Sequence, residues 1–102
     1  PIFLEKSECI ISLETGEHIP QEYENEFITN IDKSLKKRGI LIISWAIPGQ
    51  QGYGHVNERD NDYIKSLFSK RGYTNLTMEE IELRQNASLP WFKNSIMVFM
   101  KT

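Results

Sequence analysis

The chain has 102 residues and a mass of 11.9 kDa, a length that folds as a single domain. Hydrophobic residues make up 39% of it and charged residues 25%, which excludes a disordered or fibrous protein. The net charge of −2 argues against a surface for nucleic acid or anionic membranes, because phosphate binding needs clustered basic residues. No apolar run approaches the roughly 20 residues that span a bilayer, and the first residues do not resemble a signal peptide. We therefore expect a cytoplasmic protein.

Two short apolar runs predict the first two β-strands, over residues 9–13 and 39–47. Both runs are nearly continuous rather than alternating, as in strands of a parallel sheet that are covered on both faces. Cys9 is the only cysteine, so it forms neither an internal disulfide nor a zinc-thiolate cluster. Its place in the first run predicts a buried, unreactive thiol.

An amphipathic helix is predicted between these two strands. Pro20 suits its first turn, acidic residues fill its N-terminal half, and the basic run 36–38 closes it. Gly39 is expected to end the helix in a left-handed conformation. A strand, a helix and a strand at this spacing predict a right-handed parallel βαβ unit. The predicted inward stripe of the helix consists of Tyr23, Phe27, Ile28, Ile31 and Leu35.

The rest of the chain continues the α/β pattern. A second helix is expected to turn Ile64, Leu67 and Phe68 inward and to end at Gly72. Thr77 and Glu80 have the spacing of a capping box, which predicts the start of a short helix. The fold is therefore expected to be an α/β domain with three or four strands and covering helices. The predicted elements after the second strand are a helix over 60–71, a strand over 73–76, a helix over 77–85 and a strand over 95–100.

Two loops follow the predicted parallel strands, at the position where open α/β sheets bind ligands. The first, residues 14–19, carries two carboxylates and His18, which suit proton transfer or metal binding. Only one further histidine, His55, is present, so we predict no metal site. The alternative interpretation is a helix N-cap, because the turn leads directly into Pro20.

The second loop, residues 48–57, contains three glycines together with Gln, His and Asn. Its spacing, G-x-x-G-x-G, differs from the dinucleotide fingerprint G-x-G-x-x-G and does not predict a phosphate cradle. Such a segment suits a mobile loop that folds over a ligand, and equally an ordinary surface loop. Trp45, at the end of the second strand, either lines a pocket or fills the core, and the core is the commoner role.

Several of these segments resemble class I S-adenosylmethionine-dependent methyltransferases, which have a Rossmann-like sheet. Residues 10–20 (I-I-S-L-E-T-G-E-H-I-P) are similar to the fourth strand of that family and the E-x-x-E-H type of turn after it. Residues 37–45 resemble a helix end and the fifth strand, 70–73 the helix end before the sixth strand, and 95–100 the final antiparallel strand. The chain would then be the C-terminal half of a methyltransferase domain, with strands equivalent to strands four to seven. It shows no counterpart of the Gly-rich loop and the ribose-binding acid in the family's first half.

The resemblance implies a site in which the turn after the fourth strand lies beside the methionine end of S-adenosylmethionine. The loop after the fifth strand would help to form the pocket for a small-molecule methyl acceptor. Because half of the cofactor site has no counterpart, we expect this chain alone to bind S-adenosylmethionine weakly or not at all. The candidate cofactor-binding residues are Glu14, Thr15, Gly16 and Glu17. The candidate substrate-binding residues are Trp45, Gln50 and Asn57, and the candidate catalytic bases are His18 and His55.

Other classes of function stay open. A half-domain without a cofactor would be a non-catalytic interaction module that pairs with itself or with a complementing chain. A small α/β hydrolase or nucleotide binder is disfavoured, because neither G-x-S-x-G nor G-x-x-x-x-G-K-[ST] occurs. In a half-domain, the strand at 9–13 would be a sheet edge that residues 1–4 are too few to cover. We therefore predict a homodimer or a complex with a complementing N-terminal half.

Overall fold

The described part of the chain, residues 5–102 of a computed structural model, contains one four-stranded mixed sheet. The strands are β1 (Ser7–Ser12), β2 (Leu35–Ser44), β3 (Tyr73–Asn75) and β4 (Ile96–Lys101). Their order across the sheet is β1-β2-β4-β3, with β1 parallel to β2 and with β4 antiparallel to both of its neighbours. The α/β class, the parallel first pair and the antiparallel last strand are therefore confirmed. The expectation for residues 1–4 lies outside the described residues.

The helices between the strands are α1 (Glu24–Ser34), α2 (Asn61–Lys70), α3 (Thr77–Asn86) and the short α4 (Phe92–Ser95). Two 3₁₀ turns, Gly16–His18 and Gln21–Tyr23, lead from β1 into α1. Asp60 caps the start of α2, because its carboxylate accepts the Tyr63 amide at 2.8 Å, and Gly72, where φ is +87°, follows the helix end. None of the described helices has the length and apolar character that a membrane crossing requires.

The core joins α1 and α2 to one face of the sheet. Ile28 and Ile31 of α1 are buried, as predicted, whereas Tyr23 is exposed and does not belong to the inward stripe. From α2, Ile64 and Phe68 are fully buried, and Leu67 packs at the margin of the core. The sheet contributes Leu35, Leu41, Ile43, Tyr73, Met97 and Phe99 to the same cluster.

The boundary between α1 and β2 differs from the prediction. The basic residues 36–38 belong to β2 and not to the end of the helix. Ser7 pairs with Leu35 while Cys9 pairs with Ile40, so β2 accommodates three extra residues in a bulge. Gly39 is not a left-handed cap: it permits a close approach, because a Cβ there would lie 2.6 Å from Leu35 Cδ1.

α3 forms as predicted, but not through a capping box. Its N-cap is Leu76, and no side chain caps the first turn. In the predicted capping box, the Glu80 side chain would bond to the backbone at the start of the helix. It is buried against the sheet instead. Its carboxylate accepts hydrogen bonds from Lys65 Nζ at 2.9 Å and from Asn75 Nδ2 at 3.0 Å. The carboxylate therefore joins α3 to α2 and β3.

The second face of the sheet is only partly covered in residues 5–102. Cys9 and Ile11 of β1 are exposed, so the predictions of a buried thiol and of two covered faces are wrong for this strand. An open groove of about 510 Å³ lies on this face between β2 and α3, and its apolar lining includes Ile42 and Leu83. Among the described residues β1 pairs only with β2, which confirms the predicted sheet edge. Pairing of this edge with a second chain stays a prediction.

Candidate functional site

Two segments meet at the end of the sheet where β1 and β2 terminate: the 14–18 turn (residues 14–18) and the 48–57 loop (residues 48–57). This placement is predicted for segments that follow parallel strands. The amides of Val56 and Asn57 both donate to the carbonyl oxygen of Glu17, at 2.9 and 3.0 Å. The side chain of His18 contacts the carbonyl oxygen of Gly54 at 3.0 Å. The loop is therefore folded onto the turn by backbone and side-chain hydrogen bonds. The turn does not cap α1, because the cap residue is Tyr23 and no side chain bonds to that helix end.

Glu14 fixes the start of the turn to the end of β2. Its backbone is left-handed, with φ at 52°, and its amide donates to Ser44 Oγ at 2.8 Å. Ser44 Oγ donates to Glu14 Oε2 at 3.3 Å, and Gln50 Nε2 donates to Glu14 Oε1 at 2.9 Å. Glu14 thus links the ends of both parallel strands and the loop. Thr15 lies beside it and is exposed, with its hydroxyl donating to Leu13 O at 3.2 Å.

The carboxyl group of Glu17 is buried, and one of its two oxygens lacks a hydrogen-bond partner. Its exposure is 0%, and its Oε1 accepts the amide of Ala46 at 2.8 Å. Its Oε2 has no hydrogen-bond partner. Burial raises the pKa of Glu17 above its usual value; the Ala46 amide opposes this, and the charge of Glu14 adds to it. A buried carboxyl oxygen without a partner costs stability, which indicates a function at this position.

The two histidines of the chain face each other beside Glu17. Their ring centroids are 5.0 Å apart in an edge-to-face arrangement, and His18 Nε2 lies 3.6 Å from Glu17 Oε2. His18 Nδ1 contacts Gly54 O, whereas His55 Nδ1 lies 2.8 Å from Glu58 Oε2. Because a carbonyl and an ionised carboxylate only accept, both Nδ1 atoms carry a proton. In the neutral rings, both Nε2 atoms therefore keep a free lone pair.

Glycines make room for two of the rings at this site. A Cβ on Gly16 would lie 2.3 Å from Cε3 of Trp45, and a Cβ on Gly52 would lie 2.6 Å from Nε2 of His55. A larger residue at Gly16 would collide with the buried indole, since interiors are close-packed, whereas one at the exposed Gly52 would push the His55 ring aside. Gly16, a candidate cofactor-binding residue, is buried against the indole and brings the turn close to it.

Trp45 and Asn57 lie in the interior behind the site. Trp45 is 0% exposed and its Nε1 donates to the carbonyl oxygen of Asn57 at 2.7 Å. Asn57 is buried, and its Nδ2 donates to Glu24 Oε1 at 2.9 Å. Trp45 therefore has the core role that the sequence favoured. The assignment of Trp45 and Asn57 to substrate binding stays a prediction, and in this conformation neither side chain reaches the surface.

A cleft of about 430 Å³ opens beside His55, a size suited to a small ligand. Its lining consists of Glu14, Gln50, Gln51, His55 and Trp91. Three of these residues were candidates from the sequence, whereas Trp91 and Gln51 were not. Trp91 comes from the segment before β4, so only the tertiary fold brings it here. Its position directly after Pro90, outside the predicted strand over 95–100, is the one local sign of an indole outside the core.

No protein-family model and no curated protein matches this chain. Because a fold class alone does not determine activity, the functional argument depends on the site itself. That site offers two imidazole nitrogens and a buried carboxylate, next to a cleft with one aromatic wall.

Proposed function

We propose that the chain is the C-terminal half of an S-adenosylmethionine-dependent methyltransferase and supplies part of its active site. One observation carries this proposal: the 14–18 turn, which resembles the turn beside the cofactor in that family, meets the 48–57 loop at a shared cleft. The sheet supports it as well. Its parallel first pair and antiparallel last strand agree with the strands that the resemblance implies.

Methyl transfer is an in-line displacement at the sulfonium methyl carbon, in which the protein mainly aligns the two reactants. A lone pair of the acceptor forms the new bond to carbon while the carbon–sulfur bond breaks. The sulfur keeps that electron pair and becomes a thioether. An acceptor O–H or N–H must also lose a proton, and the free Nε2 atoms of His18 and His55 are suited to take it.

The cleft has the composition of a site for a small acceptor. Glu14 and Gln50 place polar groups on one side, and Trp91, 40% exposed, offers a flat apolar surface. Apolar lining with a few polar groups is typical of small-molecule sites, because the apolar part provides contact area and the polar part fixes orientation. An acceptor with one polar reacting group and an apolar body would fit this arrangement.

A non-catalytic interaction module is the second candidate. The exposed edge of β1 and the apolar groove beside α3 favour it, because both would be covered by a partner chain. This candidate has no use for the histidines or the cleft. Ligand binding at the 14–18 turn therefore separates the two functions.

Calorimetric titration with S-adenosylhomocysteine tests the proposal. We expect weak binding, with a dissociation constant of about 1 mM, because the chain shows no Gly-rich loop and no ribose-binding acid. Glu14→Ala should remove the binding heat, whereas Glu26→Ala, at an exposed position of α1, should leave it unchanged.

Two results would contradict this proposal. A dissociation constant in the low micromolar range would show that the chain has a complete cofactor site and is not half of one. No binding heat at millimolar ligand, for the chain alone and also together with a supplied N-terminal half, would contradict the cofactor site and favour the interaction module.

A further inference from the structure

We propose that Glu17, His18 and His55 bind a divalent first-row transition-metal ion, with Zn²⁺ as the representative ion. Each residue offers one ligand atom, and the three atoms all lie within 4.8 Å of one another. Imidazole nitrogen with a carboxylate oxygen is a donor set for Zn²⁺ and its neighbours, whereas Mg²⁺ and Ca²⁺ prefer oxygen ligands. This inference goes beyond methyl transfer and does not depend on it. With an ion bound, the two Nε2 lone pairs are engaged, so the histidines act as bases only in the metal-free chain.

The unsatisfied oxygen of Glu17 is the first support for the site. The side chain is 0% exposed, one oxygen is held by the Ala46 amide, and the other, Oε2, lacks a partner. His18 Nε2 lies 3.6 Å from this oxygen. Two ligands of a tetrahedral zinc ion with bonds of about 2.0–2.1 Å are roughly 3.3 Å apart. A cation between these atoms would satisfy the oxygen and neutralise a buried charge.

The orientation of the imidazole rings is the second support. His18 Nδ1 donates to the carbonyl oxygen of Gly54, and His55 Nδ1 donates to the carboxylate of Glu58. That carboxylate is itself held by two backbone amides of the loop. Metal-binding histidines usually donate their other ring N–H to a carbonyl or a carboxylate, which fixes the tautomer and the ring orientation. Both Nε2 lone pairs are therefore prepared for a metal ion.

The fold assembles this set from two separate segments. Glu17 and His18 follow β1, whereas His55 comes from the loop after β2, and the sheet brings these segments to one edge. This arrangement differs from the expectation of no metal site, because the spacing of ligands along the sequence does not show which segments the fold brings together. The ligand atoms lie up to 4.8 Å apart, whereas bonds of about 2.0–2.1 Å place tetrahedral ligands roughly 3.3 Å apart, so the longest separation must shorten by up to about 1.5 Å when an ion binds. Three protein ligands leave a position open for an oxygen of water or of a bound molecule.

Metal binding is measured by calorimetric titration with Zn²⁺ and by the visible absorption of the Co²⁺-loaded chain. We expect one ion per chain with a dissociation constant of about 1 μM, together with the absorption of four-coordinate Co²⁺. His18→Ala and His55→Ala should each weaken binding by about 100-fold, and Glu58→Gln, which acts on the ion only through His55 and the loop, by about 10-fold. Glu26→Gln should bind like the wild type, since Glu26 is exposed on α1.

The Glu17→Gln variant separates loss of metal binding from loss of folding. Because it removes a buried charge, this variant should melt at or above the wild-type temperature in metal-free buffer and still lose Zn²⁺ binding. Wild-type Zn²⁺ affinity in the combined His18→Ala and His55→Ala variant would overturn the proposal. Equal affinity for Mg²⁺ and Zn²⁺ would overturn the assignment to a transition metal. These titrations contain no S-adenosyl compound, so their failure is distinct from failure of the methyltransferase proposal.

Discussion

Replacing Trp45 with alanine is expected to lower the free energy of unfolding by about 3–5 kcal/mol. The indole is 0% exposed, lies edge-to-face with Phe27 at 5.8 Å, and packs directly on Gly16. Its removal leaves a cavity, and it also leaves the Asn57 carbonyl without the donor it now has. Domains of this size are stable by about 5–15 kcal/mol, so the variant would lose a large part of its stability.

Trp91→Ala is the matched control for this change. Trp91 is 40% exposed and lines the cleft, so its loss should cost about 1 kcal/mol or less. Urea unfolding of the wild type and the two variants measures both differences in the free energy of unfolding directly, provided that its slope against urea concentration is the same for all three proteins. Equal losses at the two positions would contradict the placement of Trp45 in the core.

Replacing Glu24 with alanine is expected to cost about 2–4 kcal/mol at neutral pH. The carboxylate is buried on α1 and accepts hydrogen bonds from Asn57, Arg59 and Tyr63. Its removal leaves the buried amide of Asn57 without an acceptor and Arg59 without its counterion. These contacts join the end of the 48–57 loop to α1, so the variant should also loosen the loop.

The contribution of Glu24 to the free energy of unfolding should depend on pH. Burial alone would raise its pKa, but the hydrogen bonds from Tyr63, Asn57 and Arg59 together hold the pKa of Glu24 below the usual 4.5. A lowered pKa adds stability that is complete above the unfolded value and is lost as the pH falls through the folded value. The difference between wild type and Glu24→Ala should therefore be full at neutral pH and shrink below 4.5.

Urea unfolding at neutral and at acidic pH checks this expectation, with Glu26→Ala as the control. Glu26 lies on the same helix and is exposed, so its removal should change stability by about 0.5 kcal/mol or less. A loss at Glu24 that does not change with pH would contradict an ionised network.

The elements that follow local rules could be predicted from the sequence. α2 has an aspartate cap, apolar residues at helical spacing and a glycine stop, and all of these act within a few residues of one another. The end of α1 could not be predicted in this way. The basic residues 36–38 suit a helix end, but Leu35 and Ile40 on either side of them pair with β1, which places the basic residues in a bulge of β2. Glu80 likewise has the spacing of a capping box, and the tertiary contact with Lys65 takes its carboxylate instead.

The location of the site could be predicted, but its chemistry could not. The 14–18 turn and the 48–57 loop follow parallel strands, and that alone puts them at one edge. The unsatisfied oxygen of Glu17, the partners of the two histidines and the wall formed by Trp91 all depend on contacts between distant segments. The exposure of Cys9 was missed for a related reason: an apolar run does not reveal whether anything covers it.

Amide NMR of the isotope-labelled chain, titrated with S-adenosylhomocysteine, is the most direct test of the proposed active site. We expect saturable shift changes at the amides of the 14–18 turn and the 48–57 loop, because these segments border the cleft. The amides of α3, which lies beside the groove on the other face of the sheet, should not move. Shift changes confined to β1 and α3, with the turn and the loop unperturbed, would contradict a methyl-transfer site at this edge.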